Sequence, residues 1–366
     1  MRAPESALFR LLALSLVASA GAIQPLAFDL SGRRAITPHS WHVAKARETS
    51  TPAALKDAYL ATGLATTGAW ATVVWTSIRS NQPLGALMPS PQHGIFARLG
   101  ALSAVPLIYS CFSTLASADS WETLASDTYR RLNLAVTAAG VGSALWVRFA
   151  DVITQIPGTA QSHQAYRGVM RAALMASYGS AAVLGAAVWV RSLPEDVQKK
   201  PLSWPGRVAD GVCKSLVGLG PANAGDPTNV KYALLSSSFL LFTALQLHTF
   251  PTAVIPSWTG RRCSRAFPAW TLLAAVSAYN LKEARENGKV MADQAYRTLS
   301  NGLTGFGATY LAARAGAVFL DPSFPGHYGL VKQVPAWAAA SAAIIALTLR
   351  PDDVGPAKKV TQTTAK

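Results

Sequence analysis

The sequence predicts an all-α integral membrane protein of about eight transmembrane helices, arranged as a tandem parallel duplication of a four-helix unit. Three observations lead there. Charged residues make up only 14 % of the chain and mean hydropathy is +0.23. The apolar residues gather in eight long runs bounded by charged or Pro/Gly-rich breaks. Finally, the chain matches itself when shifted by 167 residues. An alanine-rich soluble bundle is the competing class, because alanine raises the apolar fraction without being strongly hydrophobic.

Residues 1–22 read as a signal peptide, with Arg2 and Arg10 as the positive end and Leu11 to Ala20 as an apolar core too short to span a bilayer. Ala18-Ser19-Ala20 and Ala20-Gly21-Ala22 both fit the small-x-small cleavage pattern. Residues 23–55 follow as a transit-like, disordered basic segment rich in Ser, Thr and Ala, with Arg33, Arg34, Lys45 and Arg47 against Asp29 and Glu48. The junction Ala22-Ile23-Gln24-Pro25 resembles the Ala-Phe-x-Pro junction of two-part presequences that deliver proteins to plastids of algae with secondary plastids, with Ile23 in place of the Phe. That resemblance implies a plastid membrane; otherwise the address is a secretory-pathway membrane.

The eight runs fall at 58–78, 96–117, 132–150, 170–190, 231–256, 266–281, 299–320 and 331–349. Runs six and eight are the least certain to cross fully. The 167-residue shift brings Pro89 onto Pro256, Arg98 onto Arg265, Ser110 onto Ser277, Tyr129-Arg130 onto Tyr296-Arg297, Leu132 onto Leu299 and Gly140 onto Gly307. With small length changes, Pro157-Gly158 meets Pro325-Gly326 and Pro194-Glu195-Asp196-Val197 meets Pro351-Asp352-Asp353-Val354. The expected organisation is therefore one four-helix repeat over 56–198, an exposed proline-rich linker over 199–228, a second repeat over 229–354 and a disordered tail over 355–366. Four is even, so both copies enter from the same side and the repeats are parallel. The tails and the loops after runs two, four and six carry 21 Lys and Arg beyond the signal segment, against 10 on the other side, which places both termini on the cytosol-like face.

The net charge of +15 does not signal nucleic acid, because the cations flank apolar runs instead of forming one basic domain. They are topology signals and headgroup contacts, so the partner they imply is the lipid bilayer; partners within a membrane complex are not named by the sequence. Cys111, Cys213 and Cys263 are too few and too scattered for a disulfide framework or a metal site.

Asp151 and Asp321 are the only acidic residues on the basic-poor side, each shortly before a Pro-Gly pair, and could form a pseudosymmetric cation or amine site. Arg148 could instead pair with Asp151 at i, i+3 spacing. Arg314 is the one charge well inside an apolar run, where it needs a partner, a polar cavity or an interface to snorkel to. His248, the only histidine within a run, reads better as a hydrogen-bonded interface residue than as a haem or chlorophyll ligand. The Tyr129-Arg130 and Tyr296-Arg297 pairs open the third helix of each copy as interface anchors. Glu283 to Met291 resembles the Glu-x-x-Asn-Gly-Arg helix of light-harvesting proteins only in part: the Glu spacing differs, Lys289 replaces Arg, and that family has three spans.

No nucleotide-binding loop, metalloprotease helix, calcium loop or Ser-His-Asp order is present, and no catalytic residue, metal ligand or cofactor is indicated. The function expected is a carrier or pore for a small solute or ion between the two repeats, with a non-catalytic scaffold or accessory subunit of a (plastid) membrane complex as the alternative. An enzyme ranks third.

Overall fold

The computed structural model describes residues 53–79, 101–149, 161–248, 267–287, 293–320 and 334–348, and every regular element among them is helical. Residues 1–52, over which signal and transit segments are expected, and 80–100, 150–160, 249–266, 288–292, 321–333 and 349–366 lie outside the described residues. The long helices are α1 (Ala53–Arg79), α2 (Ala104–Ala116), α4 (Asp127–Phe149), α5 (Gln161–Arg191), α8 (Pro227–His248), α9 (Phe267–Glu286), α10 (Gln294–Leu320) and α11 (Val334–Thr348). Shorter pieces, α3 (Trp121–Leu124), α6 (Glu195–Gln198) and α7 (Trp204–Val217), join them. Each of the eight apolar runs thus carries one long helix.

Local chemistry starts several of these helices. Ser120, in an extended conformation, accepts the Thr123 N–H at 3.1 Å and caps α3. Asp226 caps α8 by accepting the Thr228 N–H at 2.9 Å, and Pro227 fills the first helical position, where no N–H is needed. Pro205 sits in the first turn of α7 for the same reason. The linker is therefore not a continuous exposed loop: Pro201, Pro205 and Pro227 open helical turns instead of breaking them, and 204–217 winds into a fourteen-residue helix.

Packing is pairwise and then cross-braced. α1 lies on α2, α4 on α5, α8 on α9 and α10 on α11. Across the middle, α2 packs on α10 and α9, while α9 also packs on α4. Glycines set the closest approaches. A Cβ on Gly140 of α4 would stand 2.7 Å from the Tyr178 carbonyl and 2.8 Å from the Ala182 nitrogen of α5. On Gly307 of α10 it would stand 2.9 Å from Ile344 of α11, so both contacts exist only because no side chain is there. The aromatic centre is Trp270, with ring centroids 5.9 Å from Trp70 and 5.7 Å from Tyr178.

The mainly apolar interior also takes in many small polar residues, and several large apolar side chains face outward. The interior holds Thr62, Thr66, Ser110, Thr114, Asn133, Ser177, Ser277 and Asn280 among its alanines and leucines. Outward positions carry Leu60 and Leu64 on α1, Val141 and Leu145 on α4, and Leu234 and Leu241 on α8, the last two about 60 % exposed. Some of the buried hydroxyls are held within the bundle: Tyr59 donates to Asn133 Oδ1 at 2.6 Å, and Thr243 lies 2.8 Å from Thr271. This inward polarity also lowers the helices' average hydropathy. By length and composition alone, Arg171–Arg191 is the one described stretch apolar enough to cross a membrane, with Ala104–Ala116 and Ala338–Thr348 apolar but shorter.

Candidate functional site: a cleft above an ionic frame

Long central stretches of α4 and α5 carry no charge. Between Leu132 and Val147 of α4, and between Ala172 and Val190 of α5, there is no Asp, Glu, Lys or Arg. At the end where α1, α4, α8 and α10 begin and α2, α5 and α9 finish, the charges are organised by burial. Arg131 donates two hydrogen bonds to the Glu283 carboxylate, that from Nη2 at 2.7 Å, and its guanidinium lies 5.0 Å over the Tyr279 ring. Lys282 Nζ meets Glu286 Oε1 at 2.7 Å, with the lysine side chain only 3 % exposed. Arg285 Nε meets Asp226 Oδ2 at 2.8 Å, the two side chains being 6 % and 11 % exposed. Glu286 also accepts the Ala222 N–H at 2.8 Å, which ties the linker's end to α9.

The frame is charged in its resting form. Burial resists ionisation of Asp226, but the Arg285 hydrogen bond and the Thr228 and Asn229 N–H groups outweigh it and hold the carboxyl below its ordinary value. Glu286 is treated alike: burial opposes its charge, and Lys282, the Ala222 N–H and Asn229 together prevail. Burial also disfavours the Arg131 cation, yet Glu283 more than compensates and holds it protonated more firmly than usual.

Beside this frame lies a cleft of about 560 Å³, within the usual size of a small-molecule site. Its walls come from α4 (Leu134, Ala135, Ala138), α8 (Ser236, Leu240) and α9 (Leu272, Ala275, Val276), and α7 covers it with Val208, Val212 and Leu216. Ser236 is used at depth, donating to the Ala275 carbonyl at 3.1 Å. Arg130, Arg131, Arg207 and Lys214 line it together with Asp127 and Asp210. Arg130 is paired with Asp127 at 2.5 Å and Lys214 with Asp210 at 2.9 Å. Arg207 has no ion-pair partner among the described residues. The α7 cover is lightly held: none of its residues is buried, Trp204 Nε1 reaches the Val197 carbonyl at 3.2 Å, and Ser215 is hydrogen-bonded to the Tyr279 hydroxyl. Gly218 admits that hydroxyl, since a Cβ there would stand 2.4 Å from it.

Of the residues singled out by sequence, Arg130 belongs to the cleft. Tyr129 is buried, with its hydroxyl 3.4 Å from Ser117 Oγ, and Tyr296 is half-buried while Arg297 is exposed on α10. Arg148 closes α4 at the opposite end, where its carbonyl accepts from Arg171 at 2.6 Å. Asp151 and Asp321 lie outside the described residues, as do the side chains of Arg314 and His248, whose backbones belong to α10 and α8. The sequence alone marks none of Arg131, Asp226, Lys282 and Arg207 as site residues, and Glu283, Arg285 and Glu286 draw notice there only for a partial likeness to a light-harvesting helix. The i, i+4 spacing of Lys282 and Glu286 was a usable signal; the Arg131–Glu283 pair, far apart in sequence, left none. Among the described residues no group of three or more His, Cys, Asp or Glu could hold a metal ion.

No protein-family model, curated protein or solved structure matches the chain.

Proposed function

We propose that this is an eight-span integral membrane protein, formed by tandem duplication of a four-helix unit, that loads a small amphiphilic solute into the cleft between its two units as a carrier. The cleft is the observation that carries the reading. One wall comes from α4 of the first unit and the other from α8 and α9 of the second, so relative movement of the units would open or close it.

Membrane residence is supported by the apolar side chains bared on α1, α4 and α8 and by the charge-free stretches of α4 and α5. Sixteen residues on α4 and nineteen on α5 correspond to about 24 and 28 Å of helix at 1.5 Å per residue, against a hydrocarbon core of about 30 Å. Exposed leucines and valines along those lengths would cost nothing against lipid, and many of the inward Ser and Thr donate to backbone carbonyls of the helices.

Duplication is supported by contacts at corresponding places in the two units. Asn280 of α9 donates to the Thr128 carbonyl at 3.2 Å and Thr114 of α2 to the Ala295 carbonyl at 3.5 Å; the two acceptors are equivalent under the 167-residue shift, and the donors are offset by one residue. Thr137 and Thr304, also equivalent, each donate back to the carbonyl four residues earlier. Gly140 and Gly307 make the third-to-fourth helix contact in their respective units.

The test is transport of a fluorescent fatty acid by the full chain in proteoliposomes. Wild-type protein should move the probe across the bilayer, and Ala138→Trp, which fills the cleft from an exposed position, should abolish movement with insertion and abundance unchanged. Equal movement by the two proteins, or none by wild type, would remove the carrier reading; a loss of partner subunits on co-purification with Ala138→Trp would instead favour a scaffold.

A further inference from the structure

We infer that the occupant of the cleft is an anionic lipid of the leaflet facing the linker, held by its headgroup at Arg207 and by an acyl chain laid between α4 and α9. This rests on the membrane and cleft reading above and adds the ligand's chemistry to it.

The lining residues carry four cations and two carboxylates. Two of those cations, Arg130 and Lys214, are offset by their own neighbours, Asp127 and Asp210, and Arg131 is spent on Glu283. Arg207 has no partner among the described residues, so the lining has an uncompensated positive charge that a ligand's anion would complete. Free phosphate or another small anion would satisfy Arg207 but leave the remaining walls unused, because Leu134, Leu240, Leu272 and Val276 are apolar. A neutral lipid would fill those walls and leave the guanidinium uncompensated. Only a ligand with an anionic head and an apolar tail meets both requirements.

The placement of α7 supports a lipid over a soluble amphiphile. Arg207 and Lys214 lie on a helix whose Leu216 is half exposed, which ends on Val217 at 87 % exposure and is preceded by Leu202 at 97 %. A short helix with apolar residues bared beside cations suits the headgroup layer, where its apolar side meets acyl chains and its cations meet phosphate. It sits over the cleft at the same end of the bundle as the ionic frame, so a lipid could enter sideways beneath it with its headgroup remaining at the interface. The weak attachment of α7 to the bundle allows that entry without breaking any of the buried ion pairs.

The experiment is native mass spectrometry and equilibrium binding of the detergent-solubilised full chain with phosphatidylglycerol, and with phosphatidylcholine of identical acyl chains. Wild-type protein should retain one phosphatidylglycerol in preference to phosphatidylcholine, the preference weakening as salt is raised because the headgroup end is exposed. Arg207→Gln should reduce phosphatidylglycerol affinity about tenfold, the effect of losing one charge-assisted contact, and Arg207→Lys should restore part of it. Lys199→Gln, an exposed cation at the same end but outside the cleft, should change nothing. Equal retention of both lipids, or Arg207→Gln equal to wild type, would overturn the anionic-lipid assignment. Displacement of the lipid by inorganic phosphate alone would reassign the site to a free anion. Loss of fatty-acid movement with Ala138→Trp alongside an inert Arg207→Gln would leave the carrier reading standing and remove only this inference. Release of the chain from membranes by alkaline carbonate would remove both.

Discussion

Asp226→Ala is the perturbation whose cost the structure bounds best. The side chain does two things: it caps α8 through the Thr228 N–H and it neutralises Arg285. Losing an N-cap costs about 1 kcal/mol. Removing one partner of a buried ion pair costs about 3–5 kcal/mol, and these side chains are 11 % and 6 % exposed. The effects share one residue and do not add fully, so the expected loss is about 4 kcal/mol. Asp226→Asn retains an acceptor for Thr228 and should recover about 1 kcal/mol of that. The comparator is Asp210→Ala, which breaks a pair whose side chains are 76 % and 54 % exposed and should cost under about 0.5 kcal/mol. Denaturant unfolding in detergent, followed by the reactivity of buried Cys111 in a Cys213→Ser/Cys263→Ser background, measures all three. The pH dependence carries its own sign. Because the folded-state Asp226 carboxyl is held below its ordinary value, its contribution is complete above about pH 4–5 and is lost as pH falls through the lower folded value. The gap between wild type and Asp226→Ala should therefore be constant from neutral pH to about 5 and shrink in stronger acid. An Asp226→Ala protein within 1 kcal/mol of Asp210→Ala, or a gap that widens in acid, would refute the reasoning.

Two further comparisons test the packing. Tyr59→Phe removes the hydroxyl that donates to Asn133 inside the bundle and should cost about 1–2 kcal/mol, whereas Tyr178→Phe removes a buried hydroxyl with no partner and should be neutral or stabilising in the same unfolding assay. Gly140→Ala must push a Cβ into α5 backbone and should lose about 1–3 kcal/mol, while Gly68→Ala meets nothing within 4 Å on α1 and should gain up to about 1 kcal/mol; equal effects at the two glycines would mean that α4 and α5 are not in close contact.

Helix number was legible because each apolar run is long and its ends are marked by charge or proline. The start of α4 and of α10 was visible too: the Tyr-Arg pairs at 129–130 and 296–297 lie in the first turn of each. Linker structure was not, because four prolines between 199 and 228 read as a loop, and only the spacing of Trp204, Val208, Val212 and Leu216 gives α7 away. Run six looked among the weakest spans, yet α9 is the central helix. Its Trp270, Leu273, Ala274 and Ala278 are fully buried, and hydropathy undervalues a helix surrounded by protein on several sides. The candidate site was the least legible. Its ion pairs join α4 to α9 and α9 to the linker, and contacts between residues so distant leave no periodicity in one sequence. Attention went instead to Arg314 as the only cation deep in a run, whereas Arg131, Lys282 and Arg285 sit at run edges, where charge is ordinary and burial unreadable.

In the proposed topology the linker and residues 249–266 lie on opposite faces of a membrane, and the chain carries its own reporters: Cys213 is exposed on α7 and Cys263 falls within 249–266. Sealed vesicles containing variants that retain only one of these cysteines can be treated with a membrane-impermeant thiol reagent before and after lysis. One of the two should react in intact vesicles and the other only once they are opened. Equal labelling of both in intact vesicles would contradict that topology.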